Sequence, residues 1–425
     1  MSAASSRGEP NKVVPLYGAA SVEGLHAVGV GYLLSVPAEG LSFEVRGLQD
    51  SRRGATCELS LVSGGRTIYG PKVFNLLTDD SRTAAAIKRL APQLSVNWDA
   101  HLAELSRQVL KAHRGGSPVE EVGLDPIAEP DWFIEPFAPR DEIMWLYGSY
   151  GSLKSITKSA LAVSCKTGRE IIPGLRPMRK TEPLLLEFEQ RNRATTNNVV
   201  ARICHGAGFD PVGIKRKWLD RPLIDVHEAV AEEIAAGGFD PIFVDSAGPA
   251  IGPGREGSSF NDRALDLARA LRSFGRTAIV IDQVTGDENK ANRSTVKPID
   301  GVQKMYQARA AYWIGKERDR VDDEVDLVIK QTKLTEGKPL APFGLAVSFA
   351  DGVIRFRRKG IDAPELLAGM PGPIRIRQLL KAGSMSTSEI AGELGIPSSS
   401  VRTYLTRELR DAVVRLPNKS WGLKA

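Results

Sequence analysis

The sequence of 425 residues predicts an α/β protein, a mostly parallel sheet covered by helices on both faces. Short apolar runs alternate with amphipathic stretches between residues 141 and 360, an order typical of parallel sheets. Strand-like segments and two helices precede this part, and a compact pattern of helices and a hairpin follows it. We therefore expect an N-terminal α+β region with a linker (1–140), a central core (141–360) and a C-terminal module (361–425).

The N-terminal region is predicted to combine strands with helices. Gly and Pro interrupt its strand-like segments, whereas its helical segments place apolar residues on one side. The predicted strands are 31–36, 41–48, 57–62 and 67–74, and the predicted helices are 82–90 and 98–113. Residues 115–140 are rich in Pro, Gly and acidic residues and are predicted to be a linker. The sequence shows no catalytic constellation in this region.

The central core is predicted from strands and helices that alternate along the chain. Its apolar runs have the length of buried strands, and the helices between them are placed to cover both faces of the sheet. The predicted strands are 143–147, 184–189, 241–246, 278–284, 326–332 and 345–349, and the predicted helices are 156–167, 195–207, 226–236 and 264–273. The last two strands are expected to close the sheet as an antiparallel hairpin.

The stretch GSYGSLKS lies between the first core strand and the first core helix. Such a loop turns backbone N–H groups toward phosphate, and the helix N-terminus favours negative charge. Lys154 would reach the β- and γ-phosphates, and Ser155 would hold Mg²⁺. The usual pattern has Gly before the Lys, where this chain has Leu153, whose side chain restricts positive φ. A simple Gly-rich turn is the alternative. The residues predicted to bind the nucleotide are Gly148, Ser149, Tyr150, Gly151, Ser152, Leu153, Lys154 and Ser155.

Acidic residues end two further strands of the core. Asp245 has a position that faces the ligand crevice of parallel sheets, so we predict that Asp245 and Ser155 hold Mg²⁺. Strand capping is the alternative role for Asp245. Glu187 and Glu189 end another strand, and only one of them is expected to face the site. Glu189, nearer the strand end, is predicted to be the general base that activates water, and a solvent-facing role stays open for either acid.

Gln283 ends a fourth core strand and is predicted to bond the γ-phosphate and report its presence. The polar segment that follows, residues 285–298, carries Lys290, Arg293 and Lys297. A basic loop at this edge of the sheet could touch DNA, although a flexible solvated loop is the commoner case.

This order of motifs resembles the RecA-like ATPases: a phosphate loop, a Glu-ended strand, an Asp-ended strand, a Gln-ended strand and a final hairpin. Within them it resembles the hexameric RepA-type replicative helicases of plasmids and phages, over roughly residues 145–349. The resemblance implies ATP and Mg²⁺ as cofactors. It also implies a homo-oligomeric ring, a hexamer, that moves on single-stranded DNA passing through the ring. Many relatives carry His where this chain has Gln283.

In that family a cation on the last strands reaches the γ-phosphate bound by the neighbouring subunit. The matching segment here is VIKQTK, so the resemblance implies Lys330 and Lys333 as cations that stabilise transition-state charge in trans. The family often has Arg at this place, and Lys lacks the bidentate fork of Arg. Arg309 is a further candidate, and ordinary surface charge is the alternative for all three.

The C-terminal module is predicted to follow a hinge at 364–373. Ser386 and Glu389 have the spacing of a capping box, and Ser398 is predicted to cap the third helix. The predicted helices are 373–382, 386–394 and 398–410, and the hairpin strands are 413–416 and 420–423. This pattern resembles a winged helix-turn-helix domain, whose third helix enters the major groove of duplex DNA. Protein contact is the alternative. The predicted base contacts are Ser399, Ser400, Arg402 and Thr403, and the predicted phosphate contacts are Arg407, Arg410, Arg415 and Lys419.

Charge and composition narrow the function classes. Residues 353–425 hold 13 Lys or Arg and six Asp or Glu, a net charge of +7 against +6 for the whole chain. This favours a DNA-binding module over a solvated tail. Cys57, Cys165 and Cys204 share no ligand spacing, which argues against disulfides and a zinc site. No apolar run approaches the roughly 18 residues of a membrane span, so we expect a cytoplasmic protein without a membrane partner.

The leading hypothesis is an ATP-hydrolysing DNA motor, a helicase or helicase loader, in the replication of a mobile element. A DNA-binding regulator that uses the ATPase core as a nucleotide switch is a second hypothesis. A scaffold that binds but does not hydrolyse ATP is a third. ATP turnover would exclude the scaffold, and ATP-dependent unwinding would exclude the pure switch.

Overall fold

The strands of the protein form separate sheets that follow the three predicted parts of the chain. The computed structural model describes residues 25–28, 31–51, 54–115, 130–253, 259–284, 301–316, 323–360 and 372–424. Within these residues, a five-stranded sheet lies in the N-terminal part, nine- and three-stranded sheets lie in the core, and a two-stranded hairpin lies near the C-terminus.

The N-terminal sheet is antiparallel, and one of its faces is covered by two helices. Buried and exposed residues alternate along its fourth strand, as expected for a sheet with one apolar face. Phe43, Leu59, Trp98 and Leu102 belong to the same buried cluster, which joins the strands to the helices. The elements are β1 (Leu25–Val28), β2 (Gly31–Val36), β3 (Leu41–Ser51), β4 (Gly54–Ser63), β5 (Arg66–Asn75), α1 (Asp80–Leu90) and α2 (Trp98–Gly115).

The core contains the nine-stranded sheet, a small three-stranded sheet and six helices among the described residues. The strands are β6 (Trp132–Glu135), β7 (Ala138–Pro139), β8 (Ile143–Gly148), β9 (Arg176–Pro177), β10 (Leu184–Glu187), β11 (Lys215–Trp218), β12 (Ile242–Asp245), β13 (Ala278–Gln283), β14 (Ala310–Lys316), β15 (Glu324–Leu334), β16 (Phe343–Ser348) and β17 (Arg355–Lys359). The helices are α3 (Lys154–Thr167), α4 (Arg193–Gly206), α5 (Leu223–Gly237), α6 (Ala247–Ile251), α7 (Phe260–Ser273) and α8 (Gly301–Gln307).

The large sheet has the order β11-β10-β12-β13-β8-β14-β15-β16-β17. The pairs from β11 through β14 are parallel, and β15, β16 and β17 continue the sheet in antiparallel pairs. Successive residues of β8 enter different buried clusters: Leu146 packs with the helices α3 and α4, and Trp145 packs with α5 and α7. The prediction of a mostly parallel sheet with helices on both faces is therefore confirmed.

The predicted linker is wrong for the part that the structure describes. Residues 116–129 lie outside the described chain, but β6 and β7 follow them and pair with each other, and β6 also pairs with β9. Phe133, Ile134 and Phe137 are fully buried in the core. Burial of these apolar residues outweighs the turn-like composition around them.

The end of the sheet is larger than the predicted hairpin. β15 and β16 do pair antiparallel, as expected. Two strands of this part were not predicted: β14, which is parallel to β8, and β17, which pairs with β16. The helix α7 begins four residues earlier than predicted, since Ser259 caps it in a capping box with Asp262.

The C-terminal part contains the predicted helices and hairpin: α9 (Gly372–Ala382), α10 (Thr387–Leu394), α11 (Ser398–Thr403), β18 (Val413–Arg415) and β19 (Trp421–Leu423). Ser386 and Glu389 form the expected capping box. The third helix is shorter than predicted, because α11 passes into a π-helical turn at Tyr404–Glu408. Ser398 is not its cap, since Pro397 occupies that position. Residues 364–371 of the predicted hinge lie outside the described chain.

The cysteines and the helices bear on two further expectations. Cys57, Cys165 and Cys204 are all buried free thiols. Among the described residues, no helix combines the length and apolar character that a membrane crossing requires.

Candidate functional site

The loop between β8 and α3 has the left-handed backbone that the sequence put in question. Leu153 is the N-cap of α3, with φ 54° and ψ 28°, and Gly151 also has positive φ. Leu153 thus adopts a conformation that favours glycine, with its side chain packed against the core. Gly148 needs to be glycine for another reason. A Cβ there would lie 1.9 Å from the carbonyl oxygen of Ile314, on the neighbouring strand β14.

Lys154 folds back over this loop. Its Nζ donates to the carbonyl oxygens of Gly148 (2.8 Å) and Ser149 (2.7 Å) and lies 3.4 Å from Ser152 Oγ. Burial lowers the pKa of Lys154 to about 8, and the nearby Asp245 carboxylate opposes that shift. The ammonium is therefore held in the loop by neutral carbonyl oxygens. A phosphate group would offer it stronger, charge-assisted hydrogen bonds.

The sheet register places the acidic residues beside one another at its carboxyl edge. Glu187 is directly opposite Asp245, and Gln283 is opposite Gly148. Parallel strands end at the same edge, so the structure brings these strand ends to the edge from which the loop leaves. Ser155, the second residue of α3, is exposed.

Glu187 of β10 and Glu189, two residues later, both reach the end of β12, which differs from the expectation that only one would face the site. Glu187 is 2% exposed and accepts hydrogen bonds from Lys158 (2.9 Å), Thr196 (3.0 Å) and Arg216. Glu189 lies beyond the strand, is exposed, and accepts from Ser246 Oγ at 2.7 Å. Residues two apart in extended chain share a face, and the hydrogen bond from Phe188 N–H to the Asp245 carbonyl oxygen continues the pairing past the end of β10. Glu189 is thus the accessible carboxylate.

Gln283 is exposed, and its backbone N–H donates to Asp282 Oδ1 at 2.9 Å. Asp282 is buried and pairs with Lys304 of α8 at 2.7 Å. Burial raises the pKa of Asp282, and the Lys304 ammonium opposes this. This ion pair ties the strand end that carries Gln283 to α8. The basic segment 285–298, predicted to touch DNA, lies outside the described residues.

The candidate trans cations lie on β15. Lys330 is opposite Trp313 in the middle of β14, and Lys333 is opposite Ala311 near the start of β14. Lys333 Nζ donates to two carbonyl oxygens of α8, and burial lowers the pKa of Lys333. Arg309 forms an ion pair with Glu142 at 3.1 Å.

Sequence reasoning missed three lysines at this edge of the core. Lys158 lies between Glu187 and Asp245, and Lys304 pairs with Asp282. Lys316, at the end of β14, lies against the loop, where a Cβ on Gly151 would be 3.2 Å from its Nζ. Their partners are distant along the chain, so local spacing gave no signal for them.

Comparison with known proteins agrees with this geometry. Residues 111–289 match the family model described as "AAA domain", which is less than half of the chain. The match includes the loop, Glu187, Glu189, Asp245 and Gln283. Together with the strand order, it supports a RecA-like P-loop ATPase core.

Two further comparisons add little to this assignment. No curated protein matches the sequence. Among solved structures, a KaiC-like protein from the hyperthermophilic archaeon Pyrococcus horikoshii OT3 is similar over 56% of this chain and 100% of its own, with 13% identity and a TM-score of 0.38.

Proposed function

We propose that this protein is an ATP-hydrolysing DNA motor, a helicase or a helicase loader, that acts in the replication of a mobile element. The ATPase part rests on one observation: the Lys154 loop, Asp245 and Glu189 lie at the same edge of the sheet. The motor part and the mobile element rest on the resemblance to the RepA-type helicases. The matched AAA family supports the ATPase part alone.

The residues at this edge are suited to binding a nucleoside triphosphate. Loop N–H groups and the Lys154 ammonium would bind its phosphates, as in other phosphate loops. Mg²⁺ prefers oxygen ligands, and the Ser155 hydroxyl and the Asp245 carboxylate supply them. Among the described residues, Asp245 Oδ1 has no hydrogen-bond partner, and 18% of this side chain is exposed. When bound, Mg²⁺ would neutralise phosphate charge.

The remaining site residues have assigned parts in this proposal. Glu189, exposed next to Ser246, would take a proton from the attacking water. Gln283 would hydrogen-bond the γ-phosphate, and its contact with Asp282 would carry that state to α8. Lys330 and Lys333 would act on the site of a neighbouring subunit in a ring, for which we propose a hexamer.

A single substitution tests the ATPase part. Lys154→Ala should abolish ATP hydrolysis while leaving the unfolding transition of the protein in place. Lys166→Ala is a matched control, since Lys166 lies on the same helix and pairs with Glu182 away from the loop. Hydrolysis should be measured with and without single-stranded DNA, together with the mass of the assembly. Normal turnover by the Lys154 variant would contradict the proposal.

We also propose that the C-terminal part binds duplex DNA as a winged helix. The helices α9 to α11 and the β18–β19 hairpin are arranged in the order this fold uses, and their buried residues form one cluster. The proposed contact residues share α11 and the turn after it, and all are solvent-accessible: Ser399, Ser400, Arg402, Thr403 and Arg407. Arg402→Ala should weaken duplex binding in a salt-dependent manner. Unchanged binding would favour a protein partner for this surface.

A nucleotide switch is the second candidate function. Leu153, a non-glycine residue in the left-handed region, favours it if the strained loop turns ATP over slowly. An unwinding assay separates the two functions. ATP-dependent strand displacement by the purified protein would exclude the pure switch, and ATP binding without displacement would exclude the helicase.

A further inference from the structure

Lys158 is a buried cation that the proposed mechanism leaves unused. It lies four residues after Lys154 on α3, so the two side chains lie on the same side of the helix. Only 2% of the residue is exposed. Its Nζ is 2.9 Å from Glu187 Oε1 and 2.8 Å from Asp245 Oδ2. One ammonium group therefore bridges the carboxylates of two adjacent strands.

We propose that Lys158 is a positioning residue that fixes the carboxylate of Asp245 for Mg²⁺, an inference that rests on the proposed ATPase function. Asp245 and Glu187 are direct neighbours across β12 and β10. The Lys158 ammonium lies between the two carboxylates and donates to one oxygen of each. This contact holds the Asp245 carboxylate in one orientation.

The contacts also divide the two oxygens of Asp245. Lys158 engages Oδ2, which leaves Oδ1 to face a metal ion or a water molecule bound to it. The rotation of the carboxylate is thereby set by a side chain of the phosphate-loop helix itself. Since α3 also begins with Lys154 and Ser155, one rigid helix positions the phosphate cation, the hydroxyl ligand and the metal acid.

Glu187 completes the arrangement. It also accepts hydrogen bonds from Arg216 and Thr196, so its charge is balanced within the sheet edge. Lys158 and Arg216 together match the two carboxylates in charge. Glu187 is thus an anchor for Lys158, and Asp245 is left as the acid that a cation can approach.

The test measures Mg²⁺-dependent binding of a fluorescent ATP analogue, which needs no turnover. Lys158→Met keeps the length and apolar stem of the side chain and removes its charge. We expect the Mg²⁺ concentration for half-maximal binding to rise about tenfold, as when a partner of a metal ligand is removed. Binding in EDTA should change less than about twofold. Lys166→Met, on the same helix and paired with Glu182, should behave as the wild-type protein.

A second pair of variants covers the case in which Lys158→Met fails to fold. Lys158→Met combined with Glu187→Gln removes one charge of each sign, and it should show the same tenfold rise. Glu187→Gln alone keeps an oxygen that can accept from Lys158 and keeps the Lys158 contact with Asp245, so it should raise the Mg²⁺ concentration for half-maximal binding less than the Lys158 variants do. If the wild-type protein depends on Mg²⁺ and the Lys158 variants match it, the positioning role is overturned. If the wild-type protein binds no nucleotide, or binds it without Mg²⁺ dependence, the ATPase proposal itself fails.

Discussion

Replacing Leu153 with Gly, and in a matched variant with Ala, separates backbone strain in the loop from side-chain packing. Leu153 has φ 54° and ψ 28°, a left-handed conformation that costs a non-glycine residue about 1–2 kcal/mol. Glycine removes this cost but loses roughly 0.5–1 kcal/mol more chain entropy than alanine on folding. The difference predicts that Leu153→Gly is more stable than Leu153→Ala by about 0.5–1 kcal/mol.

The free energy of unfolding of the wild-type protein also includes the packing of the Leu153 side chain. Leu153 is partly buried against the core, and full burial of such a side chain contributes about 1.5–3 kcal/mol. Leu153→Ala loses part of this and keeps the strain, so its free energy of unfolding should fall by about 1 kcal/mol. Leu153→Gly should stay within about 1 kcal/mol of the wild-type protein, because relief of strain offsets the lost contacts.

Urea unfolding of the three proteins, compared at a common slope, gives these differences. A fluorescent ATP analogue reports in parallel whether the loop still binds nucleotide, which we expect of both variants. An alanine variant as stable as the glycine variant would refute the claim that residue 153 is strained. If Leu153→Ala has the same free energy of unfolding as the wild-type protein, the packing argument is refuted.

Three further predictions concern the loop and the sheet edge opposite to it. Gly148→Ala places a Cβ 1.9 Å from the Ile314 carbonyl oxygen, so urea unfolding should show a loss of about 1–3 kcal/mol or more, and an unchanged midpoint would contradict the crowding. Because the pKa of Lys154 is about 8, ATP affinity should weaken about tenfold between pH 7 and pH 9, and a flat titration profile would show that its charge is not used. Burial raises the pKa of Asp240 from 3.8 to about 6, so the folded state holds a proton that the unfolded state releases, and stability falls as pH rises from 4 to 6. Asp240→Asn should abolish this slope and gain about 1–3 kcal/mol at pH 7, and a slope that persists in urea titrations would assign it to another group.

The sequence predicts the core of the fold because its signals are local. The strand β8, the loop and α3 are marked by an apolar run, a Gly-rich turn and a helical period that are contiguous. β14 was missed because Ala308 and Arg309 are the only residues between α8 and β14, so no turn signal separates helix from strand. β6 and β7 were missed because Pro and acidic residues surround the apolar positions that are buried.

The candidate site likewise contains residues that the sequence predicts and residues that it does not. Lys154, Asp245 and Glu189 lie at the ends of predicted elements. The rule that ligands bind at the carboxyl edge of a parallel sheet therefore predicts their positions from the sequence. Lys158 and Lys304 are held by ion pairs with acidic residues on core strands. No periodic pattern in the sequence marks either residue. Buried ion pairs of this kind depend on tertiary contacts, which a single sequence does not display.

Leu153, the residue that departs from the usual motif, combines a left-handed backbone with a side chain that packs against the core. Packing within the fold therefore offsets the strain. Glycine at this place would allow the same angles but would hold them less firmly. The departure thus replaces a flexible residue with one whose backbone angles are fixed by packing.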